Sequence, residues 1–437
     1  MLDKPVLFAK VIAYTFAYFW RGWRRALGKK QEGIIAALKR EKAPESRDLN
    51  IVIIGANFAG YQAAQVIAKN LPPNSRYRLV VIEPNSHFQF TWVLPRFCVA
   101  KGHEHKAFIP YGGSLKEVPE DAVRWIKARA GSLTKSHVTI EGTGEEIAYE
   151  YLVIATGSLV KEGLPSRSNA TEKLEAMRLM REMQNNIEKA AKIVVVGGGA
   201  AGVEVATDAK SKYPDKSVVL IHSRKAPMHR FSECLQKSAM EGLEKLGCEV
   251  ILEERVVSED KEAGTVTLRS GKVIECDFFI NCTGQKPASG LLTGLASETV
   301  TESGHIKVKP TLQIDNDAFP NIYACGDVVD TNTPNPNGRS ANRQADIVAD
   351  NVLLAIRGKQ PTCVFENYWA DGIIKLTLGL DRSVMHLNDG KKELVFESKE
   401  KDEELMAARC WTNLGEKPYE DASVPQELID EVTAQKV

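Results

Sequence analysis

The 437-residue sequence lacks any pair of cysteines at the spacing of a redox or metal-binding motif, although it contains eight cysteines. No two of them form a CxxC pattern, and none stands at the spacing of metal ligands. The pattern therefore predicts free thiols in a reducing compartment, with no disulfide framework and no metal site.

The sequence also lacks an apolar run of the ~20 residues that a membrane-spanning helix needs. Residues 6–20 come nearest, with Lys10 as their single charge. On a helix, apolar residues of this region fall near one face: Ile12, Phe16, Phe19, Trp20, Trp23, Leu27, Ile34 and Leu38. The basic residues fall toward the other sides: Arg21, Arg24, Arg25, Lys29 and Lys30. This arrangement is typical of a helix that lies in a membrane interface. A signal anchor, a mitochondrial presequence and a helix packed on the protein's own body are the alternatives.

The chain has no net charge, but the charge is unevenly distributed. Residues 1–47 contain 11 Lys and Arg against 4 Asp and Glu, a net charge of +7, so the remainder carries −7. A basic segment on an acidic body indicates an anionic partner for that segment alone. No motif supports nucleic acid as this partner, and a membrane surface is favoured. Residues 43–50 are predicted to link the segment to the first strand.

Residues 51–60 predict a dinucleotide-binding turn between a strand and a helix. Four branched apolar residues precede the turn, which consists of Gly55, Ala56, Asn57, Phe58, Ala59 and Gly60. The glycines allow a tight turn and close packing of helix on strand, and the helix N-terminus is suited to a pyrophosphate. The next strand ends at Glu83, an acid that can accept hydrogen bonds from an adenosine ribose.

The same pattern recurs about 140 residues later, with Gly197, Gly199 and Gly202 between a strand and a helix. Two such turns predict two bound dinucleotides. The second partner strand ends in His222, Ser223 and Arg224, without the acid that favours NAD. Arg224 is therefore a candidate for the 2′-phosphate of NADPH, the alternative being a side chain that points to solvent.

Three further motifs stand at strand ends: Ala155-Thr156-Gly157, which lies between the two glycine turns, and Cys282-Thr283-Gly284 and Ala324-Cys325-Gly326-Asp327, which lie after the second turn. In their order along the chain, the motifs resemble those of the pyridine nucleotide-disulfide oxidoreductase superfamily. The similarity covers residues 48–380 and lies near the ferroptosis-suppressor and apoptosis-inducing-factor-like group and the type II NADH dehydrogenases. It implies that FAD occupies the first turn and NADH or NADPH the second, in a unit inserted into the first.

The resemblance also implies roles for individual residues. Those implied around FAD are Gly55 to Gly60, Glu83, Arg96, Thr156 and Gly157, with Ala130 at the adenine through its main chain and Asp327 at the ribitol. Those implied around NAD(P)H are Gly197, Gly199, Gly202, Glu204 beside the nicotinamide, Ser223 and Arg224. Only Cys98 lies near the position of the family's redox cysteine pair, so electrons are expected to leave the flavin directly. The family group often has Tyr-Lys where this chain has Tyr368-Trp369.

The expected fold class is α/β, with two Rossmann-like dinucleotide-binding domains and a smaller mixed C-terminal domain. The expected segments are a membrane-contacting segment at 1–47, an FAD-binding domain at 48–165 and 285–361, an NAD(P)H-binding domain at 166–284, and a C-terminal domain at 362–437.

The expected function is a flavoprotein that transfers hydride from NAD(P)H to FAD and electrons on to a quinone at an intracellular membrane, such as a lipid droplet or mitochondrial surface. No side chain is expected to act as a nucleophile, and a homodimer is left open. The alternatives are a soluble reductase of a small electron carrier and a redox-dependent signalling flavoprotein.

Overall fold

A computed structural model describes residues 3–39, 46–161 and 163–434. The first part of the predicted linker, residues 43–45, lies outside the described residues. The chain forms two compact units, each assembled from three stretches. The first unit comprises Met1–Ser86, Gly112–Leu159 and Gln285–Gly372. The second unit comprises His87–Tyr111, Val160–Gly284 and Ile373–Val437.

The α-helices of the described residues are α1 (Asp3–Leu38), α2 (Phe58–Asn70), α3 (Leu94–Phe97), α4 (Lys173–Lys189), α5 (Ala200–Lys212), α6 (Glu233–Leu246), α7 (Gly290–Ala296), α8 (Gly338–Ala355), α9 (Ala407–Asn413) and α10 (Gln426–Ala434). The β-strands are β1 (Leu49–Ile54), β2 (Tyr77–Ile82), β3 (His87–Gln89), β4 (Phe108–Pro110), β5 (Val123–Ile126), β6 (Ala130–Leu133), β7 (His137–Ile140), β8 (Glu146–Ala148), β9 (Tyr151–Ile154), β10 (Ser158–Leu159), β11 (Lys192–Val196), β12 (Ser217–Ile221), β13 (Glu249–Ile251), β14 (Val256–Asp260), β15 (Thr265–Leu268), β16 (Val273–Glu275), β17 (Phe278–Asn281), β18 (Lys286–Pro287), β19 (Ile306–Lys307), β20 (Ile322–Ala324), β21 (Val329–Asp330), β22 (Ile374–Thr377), β23 (Arg382–Asn388) and β24 (Glu393–Lys399).

The first unit is built on a parallel sheet with strand order β20-β9-β1-β2-β5. Its central strand β1 carries four consecutive branched apolar residues, and all four are buried. Continuous apolar strands are expected where both faces of a parallel sheet are covered. The expected α/β fold with a dinucleotide-binding sheet is confirmed for this unit.

The second unit contains a parallel sheet with strand order β13-β12-β11-β17. Strand β11 again carries a run of four branched apolar residues, at 193–196, and α5 follows it as α2 follows β1. The second Rossmann-like sheet is thus confirmed too.

The antiparallel sheet β22-β23-β24 belongs to the second unit. Leu376, Leu378 and Val384 of this region are buried in the same core as α5 and α6. The boundaries of the two compact units therefore differ from the predicted segments, which separated 362–437 from the nucleotide-binding domain. The difference arises because apolar side chains of this region are buried in one core with α5 and α6, and local sequence patterns do not reveal such packing.

Helix α1 is a single 36-residue helix and forms part of the first unit. Leu7 on its inner side is fully buried. Arg25 donates to both carboxylate oxygens of Asp350, at 2.7 and 2.9 Å, and to Asp346 at 3.1 Å. The prediction that the basic residues of this segment face an external anion is therefore wrong for Arg25. Among the described residues, no helix combines the length and apolar composition that a membrane crossing requires.

Candidate functional site

The predicted cofactor-binding residues of the first unit gather at one edge of its parallel sheet. Gly55 and Glu83 directly follow β1 and β2, Thr156 lies two residues beyond the end of β9, and Asp327 lies three residues beyond the end of β20. Because the strands are parallel, their carboxyl ends meet at the same edge, which is where such sheets bind ligands. Ala130 begins β6 shortly after β5 and is partly buried.

The backbone at the first turn leaves no room for side chains at two glycines. A Cβ atom on Gly60 would lie 1.8 Å from the carbonyl oxygen of Gly55, and one on Gly55 would lie 2.5 Å from that of Ala155. Gly55 also has a φ of +91°, which glycine adopts without strain. The motif at 155–157 thus supplies the backbone on which the first glycine packs.

The start of α2 is suited to a phosphate group. Asn57 precedes the helix, but its side chain does not cap it, and its Oδ1 is buried without a hydrogen-bond partner within the described residues. Uncapped helix N-termini present amide N–H groups and a positive partial charge to an anion. Asn57 in place of the usual small residue is compatible with this arrangement, since its backbone is extended at φ −88° and ψ −152°.

Glu83 directly follows β2 and binds the backbone of the first turn. Its Oε2 accepts the N–H of Ala56 at 2.5 Å and its Oε1 accepts that of Asn85 at 2.8 Å. A carboxylate is an acceptor-only group, which is the chemistry that ribose hydroxyls require. Glu83 is 5% exposed, so the carboxylate is held in one orientation.

Asp327 lies beside the first turn because Gly326 allows the chain to approach α2. Gly326 has a φ of +84°, and a Cβ atom there would lie 3.0 Å from the Cβ of Ala59. Gln344 of α8 accepts the N–H of Gly326 at 2.7 Å, a support that the sequence analysis missed. Thr156 donates its hydroxyl to the carbonyl of Ala288 at 2.7 Å, so it fixes the strand end.

These observations fit FAD. The edge offers a glycine cradle, an uncapped helix N-terminus with an orphaned amide oxygen, and carboxylates at Glu83 and Asp327 for hydroxyl groups. The residues that would hold FAD in the first unit are Gly55 to Gly60, Glu83, Thr156, Gly157 and Asp327, with Ala130 at the same edge.

The second turn repeats the backbone geometry of the first. A Cβ atom on Gly202 would lie 1.8 Å from the carbonyl oxygen of Gly197, and one on Gly197 would lie 3.0 Å from that of Cys282. Gly199 precedes α5 and has no atom within 4 Å of an added Cβ. His222 occupies the strand end, where Glu83 stands in the first unit, and its Nδ1 accepts the N–H of Gly198 at 3.0 Å.

Comparison with known proteins agrees with this geometry. The sequence profile described as Pyridine nucleotide-disulphide oxidoreductase matches residues 49–356. The chain belongs to this family. As a member of it, the protein is an oxidoreductase that uses FAD and NAD(P)H.

Two curated relatives and one solved structure illustrate the similarity. Fe-regulated protein 8 of Mycosarcoma maydis is 33% identical over 388 residues, which cover 84% of this chain and 94% of the relative. Ferroptosis suppressor protein 1 of Homo sapiens is 29% identical over 323 residues, covering 72% of this chain and 82% of the relative. The sulfide:quinone oxidoreductase of Aquifex aeolicus has a TM-score of 0.64 at 17% identity, covering 84% and 90% of the two chains, and shows the fold alone.

Arg96 lies in the second unit and is almost completely buried. Its guanidinium donates to Asp208 at 2.7 Å and to the carbonyls of Gly379 and Leu380 at 2.9 and 3.2 Å. Burial raises the pKa of Asp208 to about 6, although Arg96 opposes this shift. Sequence reasoning missed Asp208 as the partner. The role of Arg96 at FAD stays a prediction of the family resemblance.

Glu204 stands on α5, two residues after the last glycine of the second turn. Its Oε1 accepts the N–H of Thr377 at 3.2 Å. Some of its surface is accessible, yet protein atoms surround the carboxyl group, and this burial raises its pKa to about 8. A carboxyl group with such a pKa can hold or release a proton near neutral pH.

The cysteines do not form a redox pair. All eight lie in the described residues, and none of them forms a disulfide bond. Cys98 is completely buried, and burial raises the pKa of its thiol well above the usual value. A buried neutral thiol is a poor nucleophile. Cys98 therefore provides no dithiol relay near the position of the family's redox cysteine pair.

Proposed function

We propose that the protein is an NAD(P)H:quinone oxidoreductase whose helix α1 lies on a membrane surface. The overall reaction converts NAD(P)H, a proton and a quinone to NAD(P)⁺ and a hydroquinone. When bound, FAD supplies a two-electron carrier between the nucleotide and the acceptor. The observation that carries the membrane part of the proposal is the outer face of α1.

The inner face of α1 attaches the helix to the first unit. Arg357 donates to both carboxylate oxygens of Glu32 at 2.6 and 2.8 Å, in addition to the pairing of Arg25 with Asp350. Tyr14 stacks on Tyr368 with ring centroids 5.4 Å apart. Helix α1 is thus held in one orientation relative to this unit, which leaves its opposite face outward.

The outer face of α1 is apolar and exposed along most of the helix. Ile12, Phe16 and Phe19 are each more than 65% exposed, and Trp20 and Trp23 are about half exposed. Monomeric soluble proteins rarely expose a contiguous apolar patch of this extent. Arg24, Lys29 and Lys30 are exposed on the same helix. Aromatic residues beside lysines and arginines favour the interface of an anionic bilayer.

A membrane-bound site favours a lipid-soluble acceptor. The lack of a dithiol relay supports direct transfer of electrons from the flavin to that acceptor. In the first unit, Glu83, Asp327 and the glycine turn bind and orient the cofactor. In the second, the turn at 197–202 orients the nucleotide, and Glu204 can hold a proton near neutral pH. Alignment of reactants is the main contribution expected of these residues.

The proposal is tested with a variant of the outer face that keeps the inner contacts of α1. Phe16→Ser, Phe19→Ser and Trp23→Ser are combined in the full-length flavoprotein. Val257→Ser with Val273→Ser is the control, because these exposed apolar residues lie in the second unit. Sedimentation with anionic liposomes is measured, together with reduction of a long-tailed quinone in the bilayer and of a water-soluble quinone.

We expect the triple variant to lose sedimentation and activity toward the embedded quinone, while it keeps its flavin and reduces the soluble quinone. The control variant should behave as the wild type. If the wild type does not bind liposomes at low salt, the membrane proposal is wrong. If it binds them but reduces neither quinone, the acceptor is a different molecule, and a soluble electron carrier becomes the leading alternative.

A further inference from the structure

Helix α1 runs parallel to α8 along the first unit. The guanidinium of Arg25 binds the carboxylate of Asp350. The guanidinium of Arg357 binds that of Glu32, and the partners are 325 positions apart in both pairs. Because this separation is constant, the two helices run in the same direction without a shift. Helix α1 therefore extends by about ten residues, or about 15 Å, beyond the first residue of α8.

The start of α8 lies beside the turn that would hold FAD. A Cβ atom on Gly338, the first residue of α8, would lie 2.6 Å from the ring of Phe58, which belongs to that turn. The first turns of α1 thus lie at the same end of α8 as the cofactor-binding edge of the sheet. Leu7 in this part of α1 is completely buried, so the helix packs against other protein atoms here.

Tyr14 stands where α1 passes the start of α8. Its ring stacks on that of Tyr368, with centroids 5.4 Å apart and planes 14° from parallel. Burial raises the pKa of the Tyr14 hydroxyl, an effect to which Asp371 adds and which Arg343 and Arg339 oppose. The hydroxyl is therefore a neutral donor at pH 7. It makes no hydrogen bond to any residue that the structure describes.

Asp371 provides an acceptor in the same cluster. It is 5% exposed, and its Oδ2 accepts a hydrogen bond from Nη1 of Arg343. The guanidinium of Arg343 also lies 5.5 Å from the centroid of the Tyr368 ring, so the carboxylate is held in one orientation. The other oxygen, Oδ1, is buried and has no hydrogen-bond partner among the described residues. Because buried polar atoms are usually paired, this oxygen is suited to a ligand that donates.

The two polar groups match the chemistry of a quinone and of its reduced form. A quinone has carbonyl oxygens, which only accept hydrogen bonds. NAD(P)H and one proton from solvent convert it to a hydroquinone, whose two O–H groups donate. The hydroxyl of Tyr14 can donate to the first form, and Oδ1 of Asp371 can accept from the second. The exposed ring of Tyr368 offers a surface on which an aromatic ring can stack.

We propose that the first turns of α1 form one side of the acceptor site and that Tyr14 and Asp371 bind the quinone head group there. The Tyr14 hydroxyl donates to a carbonyl oxygen of the quinone, and Oδ1 of Asp371 accepts an O–H of the hydroquinone. The inference rests on the proposed function, because it takes the acceptor to be a quinone. It adds two residues that lie outside the family profile, which matches 49–356.

The test uses the full-length flavoprotein with a water-soluble quinone and its hydroquinone under anaerobic conditions. Equilibrium dialysis measures the binding of each form to the oxidised protein. Steady-state kinetics give the KM for the quinone and the inhibition constant of the hydroquinone. Flavin content and thermal unfolding show whether each variant is folded. Ferricyanide, which accepts single electrons and no proton, serves as a second acceptor for the wild type.

Tyr14→Phe keeps the ring on Tyr368 and removes the hydroxyl. We expect it to weaken quinone binding about fivefold and to raise the KM by a similar factor, because one hydrogen bond is lost. Tyr77→Phe is the matched control, since Tyr77 begins β2 and so lies at the opposite edge of the sheet. The control should bind both forms as the wild type does.

Asp371→Asn replaces an acceptor by a donor. The amide oxygen of asparagine can remain on Arg343, which leaves the amide nitrogen at the position of Oδ1. We expect hydroquinone binding to weaken about tenfold, and product inhibition with it, because a hydrogen bond to a charged acceptor is lost. Quinone binding should not weaken, since a carbonyl oxygen can accept from the new amide.

The proposal is overturned if Tyr14→Phe binds the quinone as the wild type does, or if Asp371→Asn weakens both forms equally. If the wild type still reduces the quinone in either case, the site assignment has failed and the proposed function has not. If the wild type reduces ferricyanide but neither binds nor reduces the quinone, the proposed function has failed, and the site assignment fails with it.

Discussion

The two nucleotide-binding turns share a backbone and differ in the residue that closes the strand end. In both, a Cβ atom on the last glycine would lie 1.8 Å from the carbonyl of the first. In the first unit, Ala56 donates to Glu83, whereas in the second, Gly198 donates to His222. The carboxylate of Glu83 can only accept hydrogen bonds, whereas an imidazole can accept at one ring nitrogen and donate at the other. The glycines therefore build the turn, and the residue at the strand end is where the two turns differ.

The residue directly after the first glycine of each turn reflects this difference. In the first unit, alanine stands at this position, and its backbone N–H donates to the carboxylate of Glu83. At Gly198, the imidazole of His222 occupies the space of a Cβ atom. The glycines at 197 and 198 thus have a steric cause in the second unit, whereas a Cβ atom at Gly199 would meet no atom within 4 Å. The comparison teaches that a glycine-rich motif and the residue at the end of the next strand form one feature.

The largest effect is expected when the last glycine of either turn is replaced. Gly60→Ala and Gly202→Ala each place a methyl group against backbone, which costs about 3 kcal/mol or more. Gly60→Ala should yield protein without flavin, whereas Gly202→Ala should keep flavin and lose nucleotide binding. The visible spectrum and nucleotide calorimetry distinguish the two.

Gly28→Ala in α1 is the control for these substitutions, since nothing lies within 4 Å of an added Cβ there. It should bind both cofactors normally. Retention of flavin by Gly60→Ala and of nucleotide by Gly202→Ala would show that the turns are more plastic than their shared geometry implies.

Asp327→Ala should have the next largest effect, and only on the first unit. The change removes a charged acceptor from the sheet edge, and a lost hydrogen bond to a charged group costs about 1.5–3 kcal/mol. We expect flavin to be lost on a desalting column and nucleotide binding to remain. If the variant keeps its full yellow colour and normal activity, Asp327 does not bind the flavin.

Glu83→Gln should weaken flavin binding by about 1 kcal/mol. Glutamine keeps one acceptor for Ala56 or Asn85 and replaces the other by a donor. Equilibrium dialysis of flavin measures the change. The comparison predicts no effect on nucleotide binding, and an effect of equal size there would contradict the separate roles of the two turns.

The smallest effect concerns Glu204 and its counterpart Gln62, each two residues after the last glycine of its turn. Burial raises the pKa of Glu204 from 4.5 to about 8, so the folded protein binds a proton that the unfolded chain releases. The contribution of Glu204 to stability is thus fully present below pH 4.5 and decreases as the pH rises to about 8. Gln62 does not titrate and donates to Asp346 at 3.1 Å.

Glu204→Gln should therefore reduce the loss of stability between pH 6.5 and pH 7.5 by about 1 kcal/mol. Urea unfolding midpoints at the two pH values measure this difference. The wild type at both pH values provides the reference for this variant. Equal pH dependence of wild type and variant would show that Glu204 titrates normally.

The sequence predicts the parts of the fold that depend on local patterns. Buried strands, glycine turns and the motifs at 155–157 and 324–327 follow from apolar runs and glycine spacing, and the structure brings them to common sheet edges. The pairings across long separations do not follow from the sequence. Arg25 with Asp350 and Arg96 with Asp208 depend on packing that no local pattern encodes.

The loop at 222–230 shows the same limit within a motif. The missing acid and the basic residue Arg224 are visible in the sequence, and they indicate a phosphate. The hydrogen bond from Gly198 to Nδ1 of His222, and the distance of 3.2 Å between Nε2 of His222 and Nδ1 of His229, are visible only in three dimensions.

The central claim, that electrons pass from NAD(P)H to a quinone, is tested most directly by an anaerobic titration of the purified full-length flavoprotein. NADPH is added stepwise while the visible flavin absorption is recorded, and a quinone is then added. The account predicts that about one equivalent of NADPH bleaches the absorption and that one equivalent of quinone restores it. Bleaching that a quinone does not reverse, or no bleaching at all, would contradict the account.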